Sequence, residues 1–204
     1  MCFRMLSRDA GGWTMRLGAS AALALALAGC SADYVEGDRS SVLLVVDNIN
    51  AGAPLLSDVN TGSEDEPAIT NCVTTVGVSV RAKNPSLALT PVNDVRITRY
   101  QVSYRRSDGR GVEGVDVPYT ISGNITVTVP AGGGVASFTV DLVRHQAKLV
   151  PPLSNIRGAQ NVTMFADVTL TGQTIAEQTV SGQGTVQITF ADFVDGTATC
   201  EAGS

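Results

Sequence analysis

The chain has 204 residues, a formal net charge of −5 and 44% hydrophobic residues, which suits one domain with a substantial core. This acidic balance argues against general nucleic-acid binding, because nucleic-acid binding requires a basic surface. Glycine is abundant, with 21 residues, while threonine and valine recur and strong helix formers occur in no long run. The composition therefore indicates an all-β protein.

The first 29 residues have the features of a secretory leader. Arg4, Arg8 and Arg16 give a positive bias, and an apolar run follows at 17–28. This run is shorter than the roughly 20 residues that span a bilayer, but it fits the apolar core of a signal peptide. We therefore expect residues 1–29 to be removed, and the sequence leaves three start positions open: Met1, Met5 and Met15.

The tetrapeptide Leu27-Ala28-Gly29-Cys30 resembles the lipobox of bacterial lipoproteins. The resemblance implies that the Cys30 thiol carries a diacylglycerol, that the chain is cut before Cys30 and that the new amino terminus is acylated. Two or three acyl chains hold a protein stably on a membrane. Ser31 follows the cysteine, which implies an outer-membrane address, at the periplasmic face or the cell surface. The alternative is an ordinary signal peptide with an incidental cysteine.

After the leader, the sequence predicts a tether and one domain. Residues 30–41 are polar and lack periodicity, and they reach at most about 35 Å when extended. Residues 42–204 form the predicted domain. Removing residues 1–29, with three arginines and one aspartate, leaves a net charge of −7, so the expected partners are the membrane and an envelope protein or polysaccharide, with no nucleic acid.

Two cysteines are left for the domain, Cys72 and Cys200, because Cys2 lies in the leader and Cys30 carries lipid. An exported protein enters an oxidising compartment in which disulfides persist. We therefore expect a Cys72–Cys200 disulfide, whose long loop would contribute roughly 4–5 kcal/mol to stability. The alternative is a pair of free thiols, because spacing alone does not prove pairing.

Five segments alternate apolar and polar residues, as antiparallel strands with one face on a core do. Their apolar faces are Val76, Val78, Val80 and Ala82; Ile125, Val127 and Val129; Phe138, Val140 and Leu142; Val162, Met164, Ala166, Val168 and Leu170; and Val186, Ile188 and Phe190. Residues 42–47 predict a buried strand, and residues 48–71 predict a long loop. Turns are predicted at 83–85, 107–109, 130–134 and 171–173.

The segment at 95–106 changes its apolar phase between Ile97 and Tyr100, which predicts a β-bulge or two short strands. In total the pattern predicts an antiparallel immunoglobulin-like β-sandwich of seven to nine strands. The sequence ITRYQVSYRRSDG at 97–109 resembles the C strand and following turn of a fibronectin type III domain, although the early-strand tryptophan of that family is missing. The chain also resembles uncharacterised bacterial lipoproteins that end in a segment like FADFVD, which implies no activity.

The sequence offers few catalytic or metal-binding residues. Asp141 and His145, four apart on a predicted strand, would form a triad with a serine, but solvent-facing residues at a strand end are the favoured interpretation. GQGTVQ at 182–187 is predicted as a turn leading into a strand rather than a nucleotide loop. The acidic loop residues would suit calcium, but a solvated loop is favoured: Asp58, Glu64, Asp65 and Glu66. We expect no catalytic residue, metal or cofactor.

Five arginines cluster in sequence around one strand and turn: Arg96, Arg99, Arg105, Arg106 and Arg110. They predict either a patch for anions or for an acidic partner, or charges that protect a strand edge. The leading hypothesis is a non-enzymatic, lipid-anchored envelope protein with a binding or scaffold role. The alternative is a carbohydrate-binding module, for which exposed Tyr100, Tyr104 and Tyr119 would provide stacking surfaces. A hydrolase is the third hypothesis.

Overall fold

The computed structural model describes residues 40–60, 68–193 and 200, all of which belong to one compact unit, Ser40–Ser204. Its strands are β1 (Val42–Ile49), β2 (Leu55–Asp58), β3 (Cys72–Ala82), β4 (Val95–Arg106), β5 (Ile121–Val129), β6 (Ala136–Val143), β7 (Asn161–Thr174) and β8 (Thr179–Ala191). One short helix, α1 (His145–Lys148), and three 3-10 turns (Asn50–Gly52, Pro91–Asn93 and Leu153–Asn155) complete the described elements. No helix in these ranges is long and apolar enough to cross a membrane.

The strands form two sheets, which confirms the all-β prediction. One sheet has the order β1-β3-β6, and the other has the order β2-β8-β7-β4-β5. The second sheet is curled into a half-barrel. Buried residues from both sheets, such as Val78 on β3 and Val168 on β7, belong to one hydrophobic core.

Strand β2 departs from the sequence-based expectation in two ways. It lies inside the segment 48–71 that was predicted as a loop, and it pairs in parallel with the last part of β8, with Leu55 opposite Ile188 and Asp58 opposite Ala191. The expected all-antiparallel pairing is therefore wrong for this pair. Four residues between turn-forming segments carry no periodic signal, and their partner lies more than a hundred residues away along the chain.

The predicted bulge in β4 is confirmed. The register of β4 shifts between Ile97 and Arg99 against both neighbours. Against β7, Ile97 pairs with Gly172 and Arg99 with Thr171, so Thr98 is the extra residue. Against β5, Ile97 pairs with Val127 and Arg99 with Asn124, so the extra residue of that pair lies on β5. The shift returns Tyr100, Val102 and Tyr104 to the buried face that Val95 and Ile97 occupy. A residue inserted by a bulge restores a common apolar face because the side-chain period of a strand is two.

Glycines inside the strands mark places where backbones approach closely. A Cβ on Gly182 would lie 2.6 Å from the Leu44 carbonyl oxygen of β1, and one on Gly172 would lie 2.3 Å from the Arg96 carbonyl oxygen of β4. The predicted turns at 171–173 and 182–187 are therefore wrong, because these segments lie within β7 and β8. Their glycines allow close packing rather than chain reversal.

The loops gather at two opposite ends of this unit. The N-terminal end holds Ser40 and the loops 83–94, 130–135 and 175–178, since Val42 pairs with Ala82 and Gln173 with Thr179. The far end holds the loops 107–120 and 144–160 and the Cys72–Cys200 disulfide. Strand β7, with 14 residues, runs roughly 45 Å between the two ends at about 3.3 Å per residue.

Candidate functional site

The disulfide lies at the far end and joins Cys72, the first residue of β3, to Cys200. The two Cα atoms are 4.7 Å apart, and both residues are buried. The Cys200 backbone N–H also donates to the Leu56 carbonyl oxygen of β2 over 3.1 Å. Cys200 is therefore fixed to both sheets.

A buried lysine lies beside the disulfide end of β2. Lys148 closes helix α1, and its Nζ donates to the backbone carbonyl oxygen of Asp58 over 2.6 Å. Both residues are only 3% exposed. Burial lowers the pKa of Lys148 to about 8, while the Asp58 charge opposes this shift. The Asp58 carboxylate accepts hydrogen bonds from the backbone N–H groups of Asn60 and Phe193, so it fixes two loops.

A cavity of about 300 Å³ adjoins this pair. Its described lining includes Asn60, Lys148, Ser154, Arg157 and Asp192. The Lys148 ammonium group already donates to the Asp58 carbonyl, and the Arg157 guanidinium donates to the Ile156 carbonyl. These contacts show that both cations support loop structure, which is their clearest role here.

The most unusual surface of the far end is a set of exposed apolar side chains on the loop 107–120. Val112, Val115 and Tyr119 are 60%, 68% and 60% exposed. The loop is ordered by its own hydrogen bonds, including Gly114 N–H to the Val117 carbonyl at 2.8 Å. The Tyr119 ring lies directly against Gly114, whose φ of +73° and missing side chain leave room for it. This loop therefore presents a fixed aromatic and apolar surface.

Two more exposed apolar residues, Leu149 and Val150, follow helix α1 at the same end. The Arg144 guanidinium, just before this helix, donates to the Ser122 carbonyl at the start of β5, and the Ser107 N–H donates to the Thr163 carbonyl. These contacts tie the loop 144–160 to β5 and the loop 107–120 to β7, and both loops lie at the far end. We define the apolar surface of the far end as Val112, Val115, Tyr119, Leu149 and Val150.

The five arginines do not form one patch. Arg105 binds Asp167 at 2.9 Å and lies over the Phe165 ring at 4.7 Å from its centroid. Arg106 and Arg110 both bind Asp108, and hydrogen bonding from Arg110 holds the pKa of the Asp108 carboxyl well below its usual range. Each of these three arginines therefore forms an ion pair with a carboxylate.

Arg96 and Arg99 lie near the other end of β4, and both are exposed. Neither forms an ion pair with a residue that the structure describes. Arg99 and Arg105 are six positions apart on β4, which is about 20 Å at 3.3 Å per residue. The five arginines therefore lie in two groups, and the two near the N-terminal end form a smaller basic pair. A role for these arginines in binding an anion or a partner stays a prediction.

Two of the three tyrosines proposed to stack on sugar rings are buried. Tyr100 and Tyr104 are 5% and 7% exposed and belong to the core, while Tyr119 is exposed. Sugar binding by aromatic stacking requires accessible ring faces. Of the three tyrosines named for carbohydrate binding, Tyr119 alone is accessible, so two of the expected stacking residues are not available.

His145 is not on a strand with Asp141, because β6 ends at Val143 and His145 begins helix α1. Its ring Nδ1 lies 3.2 Å from the Asn71 side-chain oxygen, and its backbone N–H donates to the same oxygen. The prediction that Asp141 and His145 lie on one strand is therefore wrong. His145 instead joins helix α1 to the residue preceding β3.

Several predicted residues lie outside the described ranges: Cys30, the three start methionines, residues 30–39 of the tether, Glu64, Asp65 and Glu66. In the ranges 40–60, 68–193 and 200, no three histidine, cysteine or acidic side chains are grouped to hold a metal ion. Asp58, the described member of the acidic loop, is engaged by backbone N–H groups.

Sequence reasoning missed Lys148 and the apolar surface of the far end. A lysine is expected on a surface, so its burial depends on loop packing that no local pattern reveals. The apolar surface could have been found from apolar residues that lie outside every predicted strand, namely Val112, Val115, Leu149 and Val150.

No protein-family model and no curated protein matches the chain. Among solved structures, the chain is similar to the solution structure of a candidate late embryogenesis abundant (LEA) protein, at 16% sequence identity and a TM-score of 0.39. The alignment covers 93% of this chain and 95% of that one.

Proposed function

We propose that this chain is a lipid-anchored protein of the bacterial cell envelope that binds another envelope component, without catalysing a reaction. Cys30 would carry the lipid and give an outer-membrane location. The far end would make the contact, through the surface formed by Val112, Val115, Tyr119, Leu149 and Val150. A protein partner suits this surface better than a polysaccharide, because its exposed groups are mainly aliphatic.

One observation carries this proposal. The chain enters the described unit at Ser40, whereas the apolar surface lies at the opposite end, about the length of β7 away. A lipid at Cys30 would hold the N-terminal end near the membrane, because the tether reaches at most about 35 Å. The far end would then remain accessible to a partner.

The local geometry of the far end also suits binding. Rigid aromatic side chains often dominate the binding energy of protein interfaces, and preorganised loops lose less entropy when they bind. Tyr119 is fixed against Gly114, and the Glu113 carboxylate accepts hydrogen bonds from the Thr120 backbone and hydroxyl groups. These contacts fix the loop before any partner arrives.

The finer fold assignment is part of the same proposal. An immunoglobulin-like sandwich is supported by the two sheets, by their shared core and by the close approach of β1 to β8 at Gly182. The parallel β2–β8 pair and the curled second sheet are additions to the simple sandwich. An experimental structure in which the two sheets do not face each other across the core would overturn the assignment.

The anchor is tested on the protein purified from its native membrane. Mass spectrometry of the N-terminal peptide should give Cys30 as the first residue, carrying two or three acyl chains. A Cys30→Ser variant should leave the membrane fraction or retain its leader. A wild-type chain that begins elsewhere, or that carries an unmodified Cys30, would disprove the anchor.

The contact is tested by site-specific photo-crosslinking in intact cells. A crosslinking residue at Val115 should give a discrete adduct, which Tyr119→Ala should weaken. The matched control places the same residue at Leu43, which is 48% exposed on β1, and should not give that adduct. The same adduct from both positions would contradict a binding role for the far end. Specific turnover by the purified protein, abolished by one substitution, would refute the non-enzymatic role.

A further inference from the structure

We propose that the N-terminal end of the described unit rests on the bilayer that holds Cys30 and inserts apolar loop residues into its interface. This inference rests on the proposed lipid anchor and deepens it. It assigns a binding surface to the end of the protein opposite the partner-binding surface.

Four exposed apolar residues project from the loops of this end. Leu87 and Val92 are 41% and 54% exposed in the loop 83–94, Val135 is 58% exposed beside β6, and Ile175 is 50% exposed after β7. Each sits at or near the tip of a connection. Single apolar side chains on separate loops can enter the boundary between headgroups and acyl chains without moving the core.

The loops that carry these residues are joined by Asp94. Its Oδ1 accepts a hydrogen bond from the Ala131 N–H at 2.8 Å, and its carbonyl oxygen accepts one from the Ile175 N–H at 3.0 Å. Asp94 therefore links the loops 83–94, 130–135 and 175–178. The apolar residues are presented by a fixed framework, which reduces the entropy lost on docking.

The same framework holds the point at which the chain enters. Asn93 donates from Nδ2 to the Ser41 hydroxyl at 3.1 Å, and the Lys83 N–H donates to the Ser41 carbonyl at 3.0 Å. The turn that carries Val92 is therefore tied directly to the start of the described unit. A lipid attached upstream acts on the end that exposes these apolar residues.

The tether makes the bilayer the nearest available surface. Nine residues, 31–39, separate Cys30 from Ser40, so the separation is at most roughly 33 Å at 3.3 Å per residue. A short tether keeps the membrane at high effective concentration. Contacts too weak to bind a free protein to lipid then suffice to orient an anchored one.

The basic pair near this end favours an anionic lipid surface. Arg96 and Arg99 lie on the solvent face of β4, close to its start, and form no ion pair with a described residue. The three arginines of the far end, in contrast, are paired with carboxylates. Arginines that form no ion pair within the described ranges and lie near apolar residues suit lipid phosphates.

Tryptophan substitutions test the insertion directly. The only tryptophan, Trp13, precedes Cys30, so the mature protein contains none. Val92→Trp and Ile175→Trp would each place one reporter at the N-terminal end, and Val112→Trp would provide an equally exposed control at the far end. The lipidated protein is reconstituted in phosphatidylethanolamine–phosphatidylglycerol vesicles, with and without brominated acyl chains. We expect blue-shifted emission and bromolipid quenching at 92 and 175, and neither at 112.

The outcomes separate this inference from the proposed function. If mass spectrometry shows lipid on Cys30 but all three tryptophans emit as in water, the inference is overturned and the anchor stands. If Cys30 carries no lipid, both fail. Arg96→Gln with Arg99→Gln should reduce quenching at Val92→Trp in these vesicles and leave it unchanged in phosphatidylcholine vesicles. An equal loss of quenching in the anionic and the phosphatidylcholine vesicles would refute the role of the arginines.

Discussion

Tyr104 of β4 donates its hydroxyl hydrogen to the carbonyl oxygen of Leu142 in β6, and this bond joins the two sheets through the core. The Leu142 carbonyl is available because of a bulge. Cys72 pairs with Val143 and Val73 with Asp141, so Leu142 is the residue left out of register. A bulge in one sheet therefore creates an acceptor that a tyrosine of the other sheet satisfies.

We predict that Tyr104→Phe lowers the free energy of unfolding by about 1–3 kcal/mol, because it leaves the buried Leu142 carbonyl without this donor. Chemical denaturation at neutral pH measures the loss. Tyr119→Phe is the matched control, since Tyr119 is exposed, and it should change stability by less than about 0.5 kcal/mol. Equal effects of the two substitutions would show that the bond between the sheets contributes nothing.

The same tyrosine predicts an alkaline effect. Burial raises the pKa of Tyr104 above its ordinary value, so above about pH 10 the unfolded chain loses this proton while the folded chain keeps it. The unfolded state then binds fewer protons, and stability falls as the pH rises. Tyr104→Phe should therefore show a shallower alkaline loss of stability than the wild-type chain.

Close packing of β1 on β8 predicts the effect of a single methyl group. Gly182→Ala would place a Cβ 2.6 Å from the Leu44 carbonyl oxygen, and a backbone atom cannot rotate away. We expect a loss of about 1–3 kcal/mol, as overpacking typically causes. Gly132→Ala has nothing within 4 Å of the new Cβ and should not destabilise the protein. A Gly182→Ala variant as stable as wild type would mean that β1 does not lie over β8.

Lys148 predicts a second dependence on pH, of opposite sign. Its folded-state pKa of about 8 lies below the ordinary lysine value of about 10.4. Below pH 8 the lysine is charged in both states, and the folded state bears the full cost of burying it. Between about pH 8 and 10.5 the unfolded state binds more protons, so stability rises with pH by up to about 3 kcal/mol.

The contribution of Lys148 is isolated by comparison with Lys148→Met. As the pH rises from 8 to 10.5, the unfolding free energy of the wild-type protein should increase relative to that of Lys148→Met. Other groups that titrate there, including Tyr104, cancel in this difference. Parallel curves across that range would exclude a depressed pKa for Lys148.

The sequence predicted the strands whose signal is local. Alternation at 76–82 and 162–170 found β3 and β7, and the change of phase between Ile97 and Tyr100 found the β4 bulge, because a period of two is visible in a few residues. Strand β2 was missed because its pairing with β8 is set by contacts distant in the chain. Gly172 and Gly182 were interpreted as turns, since the sequence does not show which glycine meets another backbone.

The candidate site was less predictable for the same reason. Arg99 and Arg105 are close in sequence, but β4 is extended, so the two residues are about 20 Å apart. Each side chain therefore meets different neighbours. Lys148 is buried only because helix α1 packs beside β2, a contact between segments 90 residues apart. The pairing of Cys72 with Cys200 was suggested by elimination, whereas its position at the far end required the fold.

The disulfide gives the largest predicted effect on stability. Cys72 and Cys200 are separated by 128 residues, and closing such a loop removes unfolded-state entropy worth about 4–5 kcal/mol. We expect a Cys72→Ala/Cys200→Ala variant to lose stability of that order in chemical denaturation, and a reductant to destabilise the wild-type protein but not the double variant. The double variant retains Asp58, Lys148 and the rest of the far end, so its pH dependence between 8 and 10.5 should match that of the wild type. A wild-type protein indifferent to reductant under denaturing conditions would show that the two cysteines are not joined.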